Sequence, residues 1–476
     1  MKDFPRLKRG DQIELEITGS AFEGKSVARH HGLVVFVEGG VPGDLVTAQV
    51  LKAKKNLVEA KLVHLQRPSQ FRTEPRCPHF GTCGGCRWQH VNYEGQLQFK
   101  QQHVVDSFER IGGFLDVPVQ PIVPAKEIFF YRNKMEFSFS DREWLEWPGS
   151  DPPVPPLPGL DIFLGLHVPQ RYDKILNLKE CFLQSEASNT ILAMTRSFAR
   201  EMKAPIYSSD LDSGYLRFLV VRQSKRTKQI MVNLVTRSDD PSFMTLYADR
   251  LIREVPEVTT IVNTLNTKRA QIAHGDQERV YLGEGIIREE LGNRTFIISA
   301  GSFFQTNTEQ AERLYKVVTD FAEFKHSDVV YDLYSGTGSI ALCISGFVKQ
   351  VIGVESAESA LKDAERNVAA NGVTNCEFVL GDLKDRLTRD NDWMQKYLKP
   401  DVVILDPPRS GIHTKVIERL LELAPAKIVY VSCNPATQAR DLKLFCAEKY
   451  RISKLQPVDM FPHTYHIENV AQLLLN

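Results

Sequence analysis

The last third of the chain repeats one pattern, a short apolar strand followed by an amphipathic helix, and this pattern narrows the possible folds. The strand-like runs are VVYDLY, VIGVES, CEFVLGD, DVVILDPP and KIVYVSCNP, and a helical period follows each of them. Strands that alternate with helices form an open, mainly parallel sheet with helices on both faces. The sequence after about Phe303 therefore predicts an α/β domain, and such sheets bind ligands at the carboxyl ends of their strands.

The segment DLYSGTGSIAL contains the clearest ligand-binding pattern of that domain. Gly336 and Gly338 follow a strand and precede a helix, where glycine lets the backbone approach a ligand closely. Glu355 ends the next strand and suits hydrogen bonding to ribose hydroxyls. The third glycine of a diphosphate-binding motif is absent, since Ile340 and Ala341 stand there. The pattern favours an adenosine-type ligand without a diphosphate, such as S-adenosylmethionine, although a tight strand–helix turn would also explain the glycines.

Two further polar residues, Asp406 and Cys433, lie at the same predicted edge, and Glu468 is a third candidate near the C-terminus. Asp406, in LDPPRSG, presents a carboxylate to a base or an amino group, or else caps the following helix. Cys433, in SCNP, lies between a strand and a helix, where the helix dipole would lower the pKa of its thiol and favour a nucleophilic thiolate. Glu468 begins the last strand, and an apolar setting there would raise the pKa of its carboxyl and make it a base, unless it is a surface charge.

The first two thirds of the chain have a different pattern. Alternating apolar and polar residues, separated by glycine turns, predict a small β-barrel over residues 1–68. Residues 69–300 carry runs such as KMEFSFS and KQIMVNLVT, which predict a mixed α+β central domain. Within it, YEGQLQFKQQHVVDSFER predicts a helix over about 93–113 that would pack on the catalytic domain at 301–476. The proline-dense WPGSDPPVPPLPG predicts an exposed loop.

Four of the eight cysteines form a second pattern, in CPHFGTCGGC and NLKECFLQ. Cys77, Cys83 and Cys86 lie close together, and Cys181 is the candidate for a distant fourth ligand. Such a set suits a four-thiolate site that attaches a loop to the domain behind it. The residues alone leave zinc, an iron–sulfur cluster and isolated buried thiols open. A CxxC thiol oxidoreductase built on Cys83 and Cys86 lacks the thioredoxin-like βαβ context.

Composition excludes several classes of protein. Lys and Arg total 59, and so do Asp and Glu, so a basic surface for a nucleic acid has to be local. The N-terminus has charges but no apolar run behind them, which predicts no signal peptide, and no stretch is long enough to span a membrane. Unevenly clustered cysteines in 476 residues are unlike the framework of a small secreted domain. The sequence therefore predicts a cytoplasmic protein, by default a monomer.

Taken together, these motifs resemble the RNA uracil-5-methyltransferases, which form 5-methyluridine in transfer or ribosomal RNA. GDQIELEITGSAFEGKSVARHHGLVVFVEGGVPGDLV is similar to the RNA-binding TRAM barrel, and CPHFGTCGGCRWQH to the family's cluster loop. YRNKMEF, GSFFQTN, DPPRSG and SCNP resemble segments around its active site. The resemblance covers nearly the whole chain and implies a class I, Rossmann-like catalytic domain, an OB-like N-terminal barrel and an RNA partner.

The resemblance also implies roles for individual residues. The residues that fall on S-adenosylmethionine-binding positions are Gln305, Tyr334, Glu355 and Asp406. Cys433 falls on the nucleophile and Glu468 on the general base. For the cysteine pattern, the resemblance selects a four-iron four-sulfur cluster, held by Cys77, Cys83, Cys86 and Cys181.

The implied reaction uses covalent catalysis. Addition of the Cys433 thiolate to C6 of uracil turns the ring into an enolate whose C5 attacks a methyl sulfonium. Glu468 would then remove the C5 proton, and the target base must leave its stack to reach the site. An RNA cytosine-5-methyltransferase uses the same addition and stays open as an alternative. A non-catalytic RNA-binding protein on the same fold is disfavoured, because it would need neither Cys433 nor Glu468.

Overall fold

The computed structural model describes residues 7–142, 161–169, 171–387 and 396–476. The strands of these residues form a closed five-stranded barrel, two seven-stranded sheets and a two-stranded hairpin. The proline-dense segment at 147–159, predicted to be an exposed loop, lies outside the described residues.

The N-terminal barrel follows from strict alternation along its strands. In the first strand Ile13, Leu15 and Ile17 are buried, while Glu14 and Glu16 between them are exposed. The predicted barrel is confirmed, and it closes because its first strand pairs with both the second and the fourth. The strands are β1 (Gln12–Ser20), β2 (Ser26–His30), β3 (Leu33–Glu38), β4 (Leu45–Ala53) and β5 (Leu57–Arg67).

The helix predicted over 93–113 is present. It consists of α1 (Tyr93–Ser107) and a π-helical turn, Phe108–Gly112, and ends where Gly113 takes a φ of 78°. Val104 of this helix packs in the same apolar core as Ala439, which belongs to the C-terminal sheet's helical layer. The helix therefore contacts the C-terminal part of the chain, which lies far away in sequence.

The central sheet is mixed, as predicted. Its strand order is β12-β11-β10-β9-β6-β7-β8, and of these pairs only β10 and β11 are parallel. Two helices cover it, α2 (Glu186–Glu201) and α3 (Pro241–Glu254), which begin at the capping residues Ser185 and Asp240. The strands are β6 (Lys134–Ser140), β7 (Phe163–Val168), β8 (Arg171–Asn177), β9 (Leu216–Gln223), β10 (Ile230–Thr236), β11 (Thr260–Leu265) and β12 (Gln277–Leu282).

A hairpin and a helix connect the central sheet to the C-terminal sheet. The hairpin is β13 (Ile286–Leu291) and β14 (Arg294–Ser299), and α4 (Thr308–Ala322) follows it. The division of the chain into domains at residues 68 and 300 stays a prediction.

The C-terminal sheet has the parallel core that the strand–helix rhythm predicts. Its order is β17-β16-β15-β18-β19-β21-β20, with the first five strands parallel and β21 antiparallel to both of its neighbours. The strands are β15 (Val329–Leu333), β16 (Gln350–Glu355), β17 (Cys376–Leu380), β18 (Val402–Leu405), β19 (Lys427–Ser432), β20 (Tyr450–Val458) and β21 (Glu468–Leu475). The helices are α5 (Ser339–Ile344), α6 (Glu358–Ala370), α7 (Leu383–Arg386), α8 (Thr414–Leu423) and α9 (Pro435–Glu448).

The strands of this sheet are apolar on both faces because a separate core covers each face. None of the helices in the described part of the chain combines the length and apolar character that crossing a lipid bilayer requires.

Candidate active site and cysteine-lined cavity

The carboxyl edge of the C-terminal sheet brings several predicted site residues to one side of the molecule. Glu355 ends β16, and Tyr334, Asp406 and Cys433 directly follow β15, β18 and β19. The strand order reverses between β15 and β18, which is where sheets of this type open a ligand crevice. We call Tyr334, Glu355, Asp406, Cys433 and Glu468 the sheet-edge site.

The glycine turn after β15 is tied to the end of β16. Tyr334 has a φ of 68°, and the backbone N–H of Gly336 donates to Glu355 Oε2 at 2.9 Å. Gly338 has a φ of 75°, and a Cβ there would lie 2.8 Å from Phe378 Cζ, so this position requires glycine. The Glu355 carboxylate thus fixes the turn and keeps lone pairs for a ligand.

Asp332, inside β15, is a buried acid at this edge that the sequence analysis did not single out. Its Oδ2 accepts a hydrogen bond from the N–H of Ala341 at 3.1 Å, and its Oδ1 has no hydrogen-bond partner within the described part of the chain. Burial, and next the nearby Asp406, raises the pKa of Asp332 to about 8. The sequence feature that could have identified Asp332 is its position in DLYSGTG, just before the glycine turn.

Gln305 lies on the loop between β14 and α4. Its backbone oxygen accepts a hydrogen bond from Asn133 Nδ2 at 2.9 Å, and Thr306 accepts one from the N–H of Asn133 at the same distance. Thr337 of the glycine turn donates to the backbone oxygen of Phe303 at 3.2 Å. The loop is therefore held between the central sheet and the glycine turn.

Cys433 and Glu468 lie side by side because of strand register. Ser432, the last residue of β19, pairs with Asn469 of the antiparallel β21, so the residues just outside that pair are neighbours. Glu468 is only 6% exposed, whereas Cys433 is half-buried. The reversed strand β21 thus brings a carboxyl from the end of the chain to a thiol on a parallel strand.

The structure contradicts the expectation that the pKa of Cys433 is lowered. Burial, and next the charge of Glu468, raises the pKa of this thiol to about 11, although Arg409 acts in the opposite direction. The helix dipole does not prevail, because α9 begins at Pro435 with Asn434 as its cap and Cys433 lies before the cap. With Arg409 already acting on it, the free thiol is mainly protonated near neutral pH.

The two carboxyl groups beside Cys433 have raised pKa values. Burial, and next the charge of Asp406, raises the pKa of Glu468 well above its usual range, as the sequence analysis expected. Burial raises the pKa of Asp406 to about 7. A carboxylate with a raised pKa is a stronger base once it is ionised.

The cation beside Cys433 and Glu468 is Arg409, which lies in the DPPRSG motif and was not predicted to have a role. Its charge favours the ionised forms of both Cys433 and Glu468. Its backbone oxygen accepts hydrogen bonds from Asn434 Nδ2 and Thr437 Oγ1, each at 3.2 Å. The DPPRSG loop is therefore attached to the turn that carries Cys433.

The four cysteines of the second pattern line one cavity. The structure places Cys181 against the cysteine loop, which we define as residues 77–86, and the apolar residues of the cavity wall are Phe80, Leu166, Leu178, Phe182 and Leu183. The N–H of Gly84 donates to the backbone oxygen of His167 at 3.1 Å. A Cβ on Gly84 would lie 2.5 Å from that oxygen, so this close approach requires glycine.

Two sulfur atoms in this cavity accept weak hydrogen bonds, and the charges of Arg87 and Arg132 favour ionisation of Cys83 and Cys181, although burial outweighs both. Gly85 N–H donates to Cys83 Sγ at 3.4 Å, and Gln89 Nε2 to Cys86 Sγ at 3.3 Å. Burial raises the pKa of both thiols to about 12. No three His, Cys, Asp or Glu side chains of the described residues meet closely enough to hold a single metal ion.

Two family models match the chain. The model of the TRAM domain matches residues 6–63, and the model described as tRNA (uracil-5-)-methyltransferase matches residues 216–475. The chain belongs to the tRNA (uracil-5-)-methyltransferase family. The predicted family, the TRAM barrel and the class I catalytic fold are therefore confirmed.

Relatives of this methyltransferase match over nearly its whole length. An uncharacterized RNA methyltransferase of Chlorobaculum tepidum is 44% identical over 469 residues, which are 98% of this chain and 97% of the relative. One of Porphyromonas gingivalis is 41% identical, over 97% of this chain and 100% of its own. The solved structure of Pyrococcus abyssi tRNA (uracil-54, C5)-methyltransferase, in complex with S-adenosyl-L-homocysteine, has 30% identity and a TM-score of 0.74, covering 97% of this chain and 99% of that chain.

Proposed function

We propose that this methyltransferase transfers a methyl group from S-adenosylmethionine to C5 of a specific uridine in transfer or ribosomal RNA. The observation that carries the proposal is that Cys433 and Glu468 are neighbours just beyond the Ser432–Asn469 pair of β19 and β21, at the carboxyl edge of a class I sheet. A thiol next to a buried carboxyl supplies both groups that the reaction requires, a nucleophile and a base. Arg409 supplies the positive charge that favours the thiolate.

The residues proposed to hold S-adenosylmethionine are Gln305, Tyr334, Glu355 and Asp406. Glu355, at the end of β16, is placed where such sheets bind ribose hydroxyls, and the glycine turn before α5 leaves the backbone open to a ligand. When bound, S-adenosylmethionine supplies an electrophilic methyl group. The S-adenosyl-L-homocysteine in the related Pyrococcus abyssi enzyme supports this assignment.

The reaction follows from the neighbouring side chains. The thiolate of Cys433 adds to C6 of the flipped uracil, and the electron pair of the C5–C6 bond moves into the ring carbonyl as an enolate. The enolate electrons then form the bond from C5 to the methyl carbon, the bond from that carbon to sulfur breaks, and S-adenosylhomocysteine leaves. Glu468 accepts the C5 proton, the C5–C6 double bond returns, and the C6–S bond breaks to release the Cys433 thiolate.

We also propose that Cys77, Cys83, Cys86 and Cys181 hold a four-iron four-sulfur cluster. Four thiolates can hold one zinc ion or an iron–sulfur cluster, and the resemblance of the loop favours the cluster. A mostly apolar cavity lined by four thiols, with an N–H donor to Cys83 Sγ, would suit such a group. Its role would be structural, because the methyl transfer requires no electron.

The RNA is proposed to contact the TRAM barrel and the central sheet while one uridine enters the crevice between α5 and the DPPRSG loop. Flipping of the target base is expected because C5 and C6 are inaccessible in a stacked helix. That the protein acts as a monomer in the cytoplasm remains a prediction.

The test is methylation with isotope-labelled S-adenosylmethionine, followed by nucleoside analysis of total RNA from a strain that lacks the protein. We expect the label in 5-methyluridine, on one RNA class whose 5-methyluridine is missing in that strain. Label in 5-methylcytidine would favour the cytosine-5-methyltransferase instead. Absence of any label, from protein that binds S-adenosylmethionine, would contradict the enzymatic proposal.

A further inference from the structure

The segment between the last two strands has an unusual backbone and an unusual number of polar contacts. We call residues 459–467, which connect β20 to β21 and lead directly into Glu468, the connecting segment. His463 within it has a φ of 65° and is 3% exposed. A bulky residue keeps a left-handed backbone only where its surroundings determine that conformation, and such positions gather at functional sites.

The backbone of His463 is held on both sides. Its N–H donates to Gln96 Oε1 at 2.7 Å, and its oxygen accepts hydrogen bonds from the N–H groups of Arg87 and Trp88 at 2.9 and 3.0 Å. Arg87 and Trp88 directly follow Cys86, the last residue of the cysteine loop. The conformation of His463 is therefore determined by α1 and by the end of the cysteine loop.

Gln96 connects these two neighbours. It is 0% exposed, and its Nε2 donates to the backbone oxygens of Trp88 at 3.1 Å and Val91 at 2.8 Å. The same nitrogen lies 3.2 Å from His463 Nδ1. The Gln96 side chain therefore makes hydrogen bonds both to the chain that follows the cysteine loop and to the connecting segment.

The same face of α1 makes further polar contacts with the connecting segment. Lys100, one helical turn after Gln96 and 0% exposed, donates to Asp459 Oδ1 at 2.6 Å and to the oxygen of Phe461 at 3.0 Å. Tyr93 donates to Asp459 Oδ2 at 2.9 Å. Apolar side chains of similar size usually stabilise a buried helix face at least as well as a buried ion pair. Polar groups here are better explained by the specific position that they impose.

A tight turn at Thr464 connects His463 to Glu468, the proposed base. Thr464 Oγ1 donates to the oxygen of Phe461 at 2.8 Å and accepts from the N–H of His466 at 3.1 Å. Ile467 then lies buried, and Glu468 enters β21 beside Cys433. Every residue from Asp459 to Glu468 is thus either fixed by a hydrogen bond or adjacent to one that is.

We propose that Gln96 is a positioning residue for the general base: by fixing His463, it sets the place of Glu468 relative to C5 of the bound uracil. This inference rests on the proposed function of Glu468. Addition of Cys433 and methyl transfer precede the step that uses Glu468, so misplacement of Glu468 blocks only the end of the reaction. The methylated base then stays bonded to Cys433 Sγ through C6.

The test compares Gln96→Leu with Glu468→Gln on uridine-containing RNA. Protein that binds S-adenosylmethionine is counted by titration, so that misfolded molecules drop out, and the protein–RNA adduct is measured on denaturing gels. For Gln96→Leu we expect a turnover at least tenfold lower, an adduct like that of Glu468→Gln, and unchanged affinity for S-adenosylmethionine. The matched control is Gln102→Leu, on the exposed side of the same helix, with wild-type turnover and no adduct.

A conservative variant adds a second readout. In Gln96→Glu, burial would keep the new carboxyl protonated, so its C=O accepts from His463 N–H while its O–H donates to Val91. We expect turnover between those of the wild type and Gln96→Leu, with less adduct than in the leucine variant.

The two proposals fail in different ways. If Glu468→Gln accumulates no adduct, the role of Glu468 as base is wrong. If Glu468→Gln accumulates the adduct and Gln96→Leu does not, or if Gln96→Glu retains as much adduct as Gln96→Leu, the positioning role of Gln96 is wrong and that of Glu468 stands.

Discussion

This molecule has two groups of cysteines whose pKa values are raised by burial but whose neighbours differ. The thiols of the cysteine-lined cavity face apolar side chains and backbone N–H groups, and burial raises the pKa of Cys83 and Cys86 to about 12. Cys433 also has a pKa raised by burial, to about 11, but it stands beside Arg409 and two carboxyl groups at the edge of a parallel sheet. Arg409 favours ionisation of Cys433 through both its charge and a side-chain hydrogen bond, whereas the arginines near the cavity act on its thiols through charge alone.

The neighbours of a cysteine, and not the cysteine itself, are the reason that we propose a ligand role in the cavity and a nucleophilic role at the sheet edge. The cavity brings four sulfurs together, and the rest of its lining is mostly apolar, with Gln89 and Glu180 as its polar members. In the sheet-edge site one sulfur, that of Cys433, has two carboxyl groups beside it, Asp406 and Glu468, and Arg409 as a neighbouring cation. Only the second arrangement serves a reaction that moves a proton and a methyl group.

The largest expected effect is that of Cys433→Ala. Without the thiolate, C5 of uracil is not activated, and we expect turnover to fall by more than about 10³-fold, with no adduct. Iron content and affinity for S-adenosylmethionine should equal those of the wild type, because neither depends on this sulfur. A Cys433→Ala variant that still methylates RNA would contradict the proposal that Cys433, unlike the cysteines of the cavity, is the nucleophile.

The second effect concerns the buried ion pair between Lys100 of α1 and Asp459 of the connecting segment. Lys100→Met leaves the Asp459 carboxylate, which is 0% exposed, without its cation, and we expect a loss of about 3–5 kcal/mol in the free energy of unfolding. The double variant Lys100→Met/Asp459→Asn should recover most of this loss, because no unpaired charge remains buried. Denaturant titration measures both. Equal stability of the single variant and the wild type would mean that the pair does not hold α1 to the connecting segment.

The third effect is smaller and falls on the cavity. Cys181→Ala should abolish the visible absorption near about 400 nm that an iron–sulfur cluster gives, and lower turnover by about tenfold through the loosened cysteine loop. Cys446→Ala, a half-buried thiol on α9, is the control and should change neither. A colourless wild-type protein with stoichiometric zinc would contradict the cluster.

The smallest effect tests the cation beside Cys433. Arg409 lowers the pKa of this thiol through its charge and a side-chain hydrogen bond, so Arg409→Gln should raise that pKa. A higher pKa means less thiolate at a given pH, and alkylation of Cys433 at pH of about 9 should slow by about tenfold. Mass spectrometry of the Cys433 peptide measures the rate, and Arg409→Lys, which keeps the charge, should change it less. Faster alkylation in Arg409→Gln would contradict the claim that Arg409 lowers the pKa of Cys433.

Strand ends explain what the sequence could predict. Tyr334, Glu355, Asp406 and Cys433 each follow a recognisable apolar strand, and parallel strands bring their carboxyl ends to one edge, so their proximity follows from local patterns. The barrel and the helix over 93–113 likewise follow from periodicity. The roles of Gln96 and Arg409 could not be predicted, because each depends on contacts with residues distant in sequence. The direction of the pKa of Cys433 was predicted wrongly, since burial and Glu468 outweigh the helix dipole that local sequence suggests.

The central claim is that Cys433, and no cysteine of the cavity, bonds to the substrate. The direct measurement is incubation of the protein with S-adenosylmethionine and RNA carrying 5-fluorouridine, followed by mass spectrometry of the cross-linked peptide. Because fluorine at C5 cannot leave as a proton, the adduct should persist, with the nucleotide on the peptide that contains Cys433. A stable adduct on Cys83, Cys86 or Cys181, or no adduct from protein that methylates ordinary RNA, would contradict the account.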